Sequence, residues 1–421
     1  MRKLALGVLA LALLLAGAAA GYVLYVRHEG RSIRGSSTVE FAAPKPSERR
    51  TPNRSSTKRA APRPVAQTVD WPMYGFDRAR LRDAPRSTLR PPFHRAWTFH
   101  GRALLEFPPV VAYGRVFLTT FDGRTYALDA DTGRAVWRYV SHRCGWASPA
   151  VDRHLVFEAY IGHACDAADP GSDGAVIAFD AKTGRIRWQR TIGPTESSPL
   201  VARGLVFVGD WRGTIYALAE STGKVRWTFT TGGKVKGSVA LAGNRLYIGA
   251  YDGRLYALDV RTGRLVWRAS GQPSLSGGTF YSSPAVAYDR VYLGSTDGHV
   301  YSFGAASGKL RWSYRTGGYV YASPAVWREL ILVGSYDHTF YAFDAATGAV
   351  RWRFTADGPI SGAATVVNGI VYFSTFNERT YGLNAETGRL VWSFPDGKYS
   401  PVVTGTNAIY LTGLGRLYAL R

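Results

Sequence analysis

From Trp71 to the last residue the chain is built of short apolar stretches broken by turn residues, and the stretches come in fours. One set reads Ser283-Pro284-Ala285-Val286, then Val291-Tyr292-Leu293-Gly294, His299-Val300-Tyr301-Ser302 and Lys309-Leu310-Arg311-Trp312. Asp-Gly pairs, which tolerate positive φ in tight hairpins, separate the middle stretches at Asp297-Gly298, Asp122-Gly123 and Asp252-Gly253. Each set therefore predicts four short antiparallel strands. Trp97, Trp137, Trp188, Trp227, Trp267, Trp312, Trp352 and Trp392 mark the period, at spacings of 40, 51, 39, 40, 45, 40 and 40. Seven of them follow, by four residues, a glycine of a Thr-Gly or Ser-Gly pair: Gly133, Gly184, Gly223, Gly263, Gly308, Gly348 and Gly388. First strands begin near Pro108, Pro149, Pro199, Ser238, Pro284, Pro324, Gly362 and Pro401, so the pattern predicts an all-β, eight-bladed propeller of four-stranded antiparallel blades over residues 71–421. The last unit holds three strands and ends at Leu417-Tyr418-Ala419-Leu420, while the stretch around Trp97 lacks its own turn. Pairing of these two ends closes the ring and removes both open sheet edges.

The pattern is different upstream. Leu4 to Val26 is an uncharged apolar run of 23 residues behind Arg2 and Lys3, long enough to cross a hydrocarbon layer about 30 Å thick. It reads as a transmembrane signal anchor. Ala18 and Ala20 would also suit cleavage of a signal peptide, but the run continues six residues beyond Ala20. Either way the rest of the chain is exported, although positive charges on both sides leave the orientation weakly specified. Residues 27–67 are rich in Arg, Ser, Pro and Thr, with ten Lys and Arg against three Glu, and are expected to be a disordered basic linker that an anionic surface attracts.

The run Ala127-Leu128-Asp129-Ala130-Asp131-Thr132-Gly133-Arg134-Ala135-Val136-Trp137 resembles the tryptophan-docking repeat of the pyrroloquinoline quinone (PQQ)-like propeller family. The same positions recur at Ala178, Asp180, Gly184 and Trp188, at Ala257, Asp259, Gly263 and Trp267, and at Ala342, Asp344, Gly348 and Trp352. The resemblance implies that the eight periodic indoles are structural and pack between blades. The aspartate is missing at Ala219, Gly304 and Asn384, which implies weaker inter-blade bonding there. The family includes quinone-dependent dehydrogenases and many propellers that bind no quinone.

A formal charge of +22 points to anionic surroundings without choosing among them. The propeller's basic residues recur in each repeat around the disc, which argues against a specific nucleic-acid groove. A quinoprotein enzyme would need PQQ, calcium held by oxygen ligands and a carboxylate base, with insertions to wall the cofactor. Only the second repeat carries a sizeable insertion, and its Asp166, Asp169 and Asp173 match no known calcium loop. No catalytic residue is assigned, and no cofactor is expected unless the PQQ and calcium alternative holds.

Cys144 and Cys165 are the only cysteines. A hairpin turning at residues 152–154 sets Cys144 opposite His163 and within two residues of Cys165, which allows a disulfide. His142-x-Cys144 facing His163-x-Cys165 also has the composition of a tetrahedral zinc site, and two unpaired structural cysteines are the third reading.

Residues three before each inner-strand proline or its equivalent should gather at one mouth of the axial funnel: Leu105, Trp146, Glu196, Lys236, Tyr281, Tyr321, Ile360 and Lys398. Trp146, Glu196, Lys236, Tyr281, Tyr321 and Lys398 are the candidates for binding a peptide or a small amphipathic ligand. The expectation is a monomeric, membrane-tethered, extracytoplasmic scaffold for envelope proteins, with a PQQ- and calcium-dependent dehydrogenase of alcohols or sugars as the alternative. The resemblance supplies a model, the propeller lipoprotein of outer-membrane β-barrel assembly, but no cysteine near the N-terminus is present here to carry a lipid.

Overall fold

Eight sheets of four antiparallel strands, the seventh joined by a fifth, parallel strand at Asp83–Ala84, form a closed ring in a computed structural model that describes residues 31–42, 70–163, 165, 173–272, 278–399 and 402–421. No helix occurs among these residues. Blade 1 begins with the inner strand Val110–Ala112 and blade 8 with Val403–Thr404. Inner strands such as Val110–Ala112 and Leu200–Ala202 are buried throughout, because blades press on both of their faces. Outer strands such as Val350–Thr355 alternate between partly buried and exposed side chains. The ring closes as the repeat pattern requires: Arg95–His100 forms the outer strand of blade 8 by antiparallel pairing with Arg416–Leu420, Trp97 opposite Ala419.

Adjacent blades are joined by the periodic indoles. In all eight blades the strand pairing slips beside the outer-strand tryptophan, as between Ala342 and Phe343 opposite Trp352, and the slip re-aims the side chain toward the following blade. There the indole N–H donates to a backbone carbonyl: Trp97 to Ala130, Trp137 to Ala181, Trp188 to Glu220, Trp227 to Val260, Trp267 to Ala305, Trp312 to Ala345 and Trp352 to Ala385. The ring lies flat on the turn glycine. At Gly348 (φ +69°) a Cβ would stand 2.7 Å from the Trp312 ring, so both the turn and the indole require glycine. Trp392 faces blade 8, which has no such turn, and meets Phe93 edge-on at 5.6 Å.

The turn aspartate acts within its own blade. Asp129 Oδ1 accepts from the Thr132 amide (2.9 Å) and hydroxyl (2.7 Å), and Asp180, Asp259 and Asp344 do the same. The expectation of weaker inter-blade bonding at Ala219, Gly304 and Asn384 is therefore corrected. The indole acceptor is a main-chain carbonyl and survives at all three, and Asn384 Oδ1 reproduces the aspartate's bonds to Thr387. The serines of the Ser-Pro pairs, and Ser238 in the equivalent place, link the inner strands into a girdle. Ser148, Ser198, Ser238 and Ser283 each donate an amide to the serine hydroxyl of the next blade at 2.8–2.9 Å.

Residues 70–90 lie inside the ring as an axial collar, outside the repeat. Trp71 bridges Val111 of blade 1, Pro72 accepts from Val151 of blade 2, and Arg78, Ala79, Leu81 and Arg82 accept from Leu241, Val286, Val326 and Val366 of blades 4 to 7. Arg78 Nε reaches Val201 of blade 3, and Ser87 meets Thr404 of blade 8. The collar carries the fully buried Arg80, whose Nε donates to Val239 O at 2.9 Å, and Arg82, which donates to Arg80 O and Pro324 O.

Residues 31–42 depart from the disordered linker expected over 27–67. They lie along the outer edge of blade 5, where Ile33 and Ser313 exchange backbone hydrogen bonds. Docking mainly through backbone groups and one carboxylate, with Phe41 as its one aromatic contact, leaves no apolar periodicity in the sequence. No helix among the described residues is long and apolar enough to cross a membrane. The apolar run 4–26, linker residues 43–67, and Asp166 and Asp169 lie outside the described residues.

Candidate functional site at the channel mouth

The loops that precede the inner strands form a funnel, and the collar is its floor, with Tyr74 uppermost. Tyr74, Glu106, Glu196, Lys236, Tyr281, Tyr321 and Tyr399 line the funnel with the girdle serines. Of the predicted mouth residues, Glu196, Lys236, Tyr281 and Tyr321 stand in it, Trp146 lies in the surrounding aromatic ring, and Lys398 sits on the shoulder, 3.9 Å from Glu378. Leu105 and Ile360 are corrected: both are buried in the inter-blade core, and Glu106 and Ser361 take their places. The inner strands of blades 1 and 7 are centred on Val111 and Val366, which moves the mouth position one residue along from the one that Pro108 and Gly362 suggest.

An almost unbroken aromatic belt surrounds this funnel. Phe121 meets Trp146 (5.4 Å) and Trp146 meets Trp211 (6.0 Å). Across the mouth Tyr251, Tyr281, Tyr321, Tyr336, Phe376 and Tyr399 follow one another at 5.1–6.4 Å. Lys236 fills the gap between the two arcs, its Nζ 4.0 Å from the Trp211 ring and 5.5 Å from Tyr251. Phe121, Trp211, Tyr251, Tyr336 and Phe376 stand in the belt outside the expected set of mouth residues. Their signal is an aromatic at the first position of the middle turn, as in Tyr251-Asp252-Gly253 and Tyr336-Asp337-His338.

The mouth's charges are held against solvation. Burial pushes the Glu196 carboxyl up to about 7; Lys236, 3.6 Å away, pulls it down, and nearby Glu106 pushes it up again. Burial also raises Glu106, with Lys236 opposing. The buried Glu196 and the half-buried Glu106 thus share one ammonium, and Glu196 can take up a proton near neutral pH. On the floor, burial raises the Tyr74 hydroxyl, but Arg82 and Arg80 outweigh it and hold that hydroxyl below its ordinary value.

Cys144 and Cys165 form a disulfide with Cα atoms 5.5 Å apart, and Cys144 packs with Trp146, Ile161 and Trp211 beneath the belt. The zinc alternative fails because both sulfurs are used in this bond. The His163 ring faces the His142 carbonyl and Asp173, each at 2.8 Å, so His142, Cys144, His163 and Cys165 form no ligand set. Among the described residues no three His, Cys, Asp or Glu side chains converge to hold a metal. Calcium with PQQ fits the mouth poorly: its two carboxyls are drawn toward protonation, and an ammonium already occupies the place of a cation.

A model of the family described as outer membrane protein assembly factor BamB matches residues 94–198, 172–320 and 315–421. The chain is 32% identical over 153 residues to quinohemoprotein alcohol dehydrogenase ADH-IIG of Pseudomonas putida, covering 30% of this chain and 20% of that enzyme. It is 30% identical over 116 residues to outer membrane protein assembly factor BamB of Yersinia pestis, covering 27% of this chain and 29% of that protein. Each match thus spans less than a third of the relative's length. Among solved structures, BamB from Moraxella catarrhalis superposes with a TM-score of 0.65 at 18% identity, covering 78% of this chain and 99% of that one. Quinohemoprotein alcohol dehydrogenase from Comamonas testosteroni superposes with a TM-score of 0.71 at 15% identity, covering 84% and 80%. Identities this low speak to fold alone. The family matches overlap and run without a gap from residue 94 to the end, and on that ground the chain belongs to the propeller-repeat family of the outer membrane protein assembly factor BamB.

Proposed function

We propose that the protein is a binding scaffold of the cell envelope, held at a membrane by its apolar N-terminal segment, that presents the channel mouth to a peptide of a partner protein. The observation that carries this reading is the belt of aromatic rings around the Lys236–Glu196 pair, above a channel that residues 70–90 fill. Rings offer large contact area at low entropic cost, and a desolvated ion pair at the centre gives orientation. The relatives also support the quinone-dependent dehydrogenase, but among the described residues no three Asp or Glu carboxyls converge at the mouth for its calcium.

One experiment separates the two readings. A photo-crosslinking residue at Tyr321, in the mouth, should give discrete adducts in intact cells, and one at Asn244, on the opposite face, should not. Adducts at both sites or at neither overturn the mouth as the binding surface. An absorption band and dye reduction by alcohols or sugars, after adding PQQ and calcium to the full chain, would replace the scaffold with the enzyme.

A further inference from the structure

Blade 5 breaks the repeat twice, and one segment accounts for both breaks. Where blades 2 and 6 carry Asp180 and Asp344, blade 5 has Gly304. Asp344 accepts from the Thr347 amide and hydroxyl, both at 2.8 Å, and from Arg351. Asp180 holds Thr183 and Arg187 in the same way. In blade 5 the corresponding donors are Ser307 and Arg311, and their acceptor is Glu40, more than 260 residues upstream. Glu40 accepts from the Ser307 amide (2.9 Å), the Ser307 hydroxyl (2.7 Å) and Arg311 Nε (3.0 Å). Its carboxylate lies where a side chain on Gly304 would project, for a Cβ there would stand 2.0 Å from Glu40 Oε2.

The second break is Arg290. Its counterparts Arg115 and Arg245 reach forward to carbonyls of the next blade's turn, Ala181 and Lys182 in one case and Ala305 and Ala306 in the other. Arg290 is fully buried and instead donates to the carbonyls of Ser36, Val39 and Glu40. The remaining contacts continue the docking. Gly35 donates to Thr347 O at 3.0 Å, at a point where a Cβ would stand 2.5 Å from Ala346 O. Phe41 packs on Tyr288 at 5.4 Å. Blade 3 provides an internal contrast. It also lacks the aspartate, but Ala219 keeps a Cβ in that place.

We propose that the outer edge of blade 5 is a peptide-binding site for a segment that turns before a glutamate, and that residues 31–42 of the same chain are its resident ligand. Gly304 provides the space, Ser307 and Arg311 read the carboxylate, and Arg290 reads the main chain. Charge-assisted hydrogen bonds at a partly buried position give such a site selectivity for Glu over Gln. The site is separate from the mouth and does not depend on the function proposed for it. It also determines where the chain leaves the propeller, beside blades 5 and 6 instead of at the axis.

The test uses the full chain. Gly304→Asp supplies the turn with its own carboxylate and should expel Glu40. Trypsin cleavage after Arg31 and Arg34, and hydrogen exchange at the Ile33 and Gly35 amides, should then rise by about tenfold or more while the melting temperature stays close to the parent's. Glu40→Gln should release the segment equally, and the double variant should add nothing. A labelled peptide of residues 31–42 should bind the Glu40→Gln chain about tenfold more tightly than the Gly304→Asp chain, and the Glu40→Gln peptide should bind neither. Unchanged protection in Gly304→Asp, or equal peptide binding by the two chains, overturns the proposal. If Gly304→Asp does not fold, release in Glu40→Gln and the two peptides decide. A full-chain dimer that dissociates on Glu40→Gln overturns the assignment within one chain.

Discussion

The perimeter of the ring and its mouth are built from equivalent positions of the same eight repeats, yet they differ in kind. At the perimeter one chemical solution recurs, an indole on a glycine turn with its N–H on the next blade's carbonyl, from Trp97 to Trp352. At the mouth the equivalent positions hold Glu106, Trp146, Glu196, Lys236, Tyr281, Tyr321, Ser361 and Lys398. Repetition marks the positions that the fold requires in every blade. Variation marks the positions at which the blades can serve different ends. Substitutions should therefore cost stability at the perimeter and recognition at the mouth.

The largest expected effect is at the perimeter. Trp312 is fully buried and rests between Tyr292 and Phe343, each at 5.9 Å. Trp312→Ala should lower the unfolding free energy by about 3–5 kcal/mol, read from the denaturant midpoint. A loss under about 1 kcal/mol would mean that the indoles are not the cement between blades, and the comparison would fail at its stronger end.

A smaller effect is expected where the periodic interior itself is broken. Glu158 occupies an inner position that is Leu118, Val208 or Ile248 in sister blades, and it is fully buried. It bonds to Thr119 at 2.7 Å, and Thr119 leads through Thr125 to Tyr160. Burial pushes its carboxyl from 4.5 up to about 8, against the bonds from Thr119 and the Ala159 amide. The folded state thus keeps the proton at pH values where the unfolded chain has released it. Stability is full below about pH 4.5 and falls as the pH rises toward 8. Glu158→Gln should flatten that fall, a gain of about 3 kcal/mol at pH 8 relative to pH 5 in urea titrations. An unchanged pH profile would show that this carboxyl titrates normally.

How much could be read in advance follows the same division. Blade number, closure through Trp97 and the neighbouring cysteines were legible because each rests on a period or a hairpin register. Residues 70–90 were not recognised as a collar, because Arg80 and Arg82 are buried against main-chain carbonyls of distant blades, and no local pattern encodes an acceptor supplied by the ring. Glu40 escaped notice for a related reason, since its partners lie more than 260 residues away. The vacancy it fills was visible all along at Gly304. Leu105 and Ile360 were misplaced by one residue in blades where the Ser-Pro marker is out of phase, and one residue exchanges a core side chain for a mouth side chain.

Within the perimeter, the turn aspartate should matter less than the indole. Asp180 holds the Thr183 amide and hydroxyl at 2.9 Å and, helped by Arg187, its carboxyl is lowered to about 2. The arginine is largely exposed, so the ion pair itself adds little. Asp180→Ala should cost about 1 kcal/mol, and Ala219→Asp should gain a similar amount or less, because the Trp137 and Trp188 bonds go to backbone carbonyls in either case. If Asp180→Ala cost as much as Trp312→Ala, the turn and the indole would have to be treated as one unit.

The smallest loss of stability is expected at the mouth, where the comparison is sharpest. Glu196 is more buried than most of the perimeter indoles, so burial alone predicts a structural role and a large loss on substitution. Its carboxyl, however, is raised to about 7, which means that the fold already disfavours its charge. The folded protein binds the Glu196 proton more tightly than the unfolded chain does, so ionisation detracts from stability as the pH passes from 4.5 toward 7 and above. Glu196→Gln keeps the shape and removes that liability, and should cost no more than about 0.5 kcal/mol at pH 6 and add stability at pH 8. Crosslinking through Tyr321 should nevertheless fall, because Lys236 loses the carboxylate that holds it between Trp211 and Tyr281. A buried residue that can be neutralised without harm to the fold, but not without harm to binding, is what a mouth selected for recognition requires; a large stability loss with crosslinking intact would make it one more part of the frame.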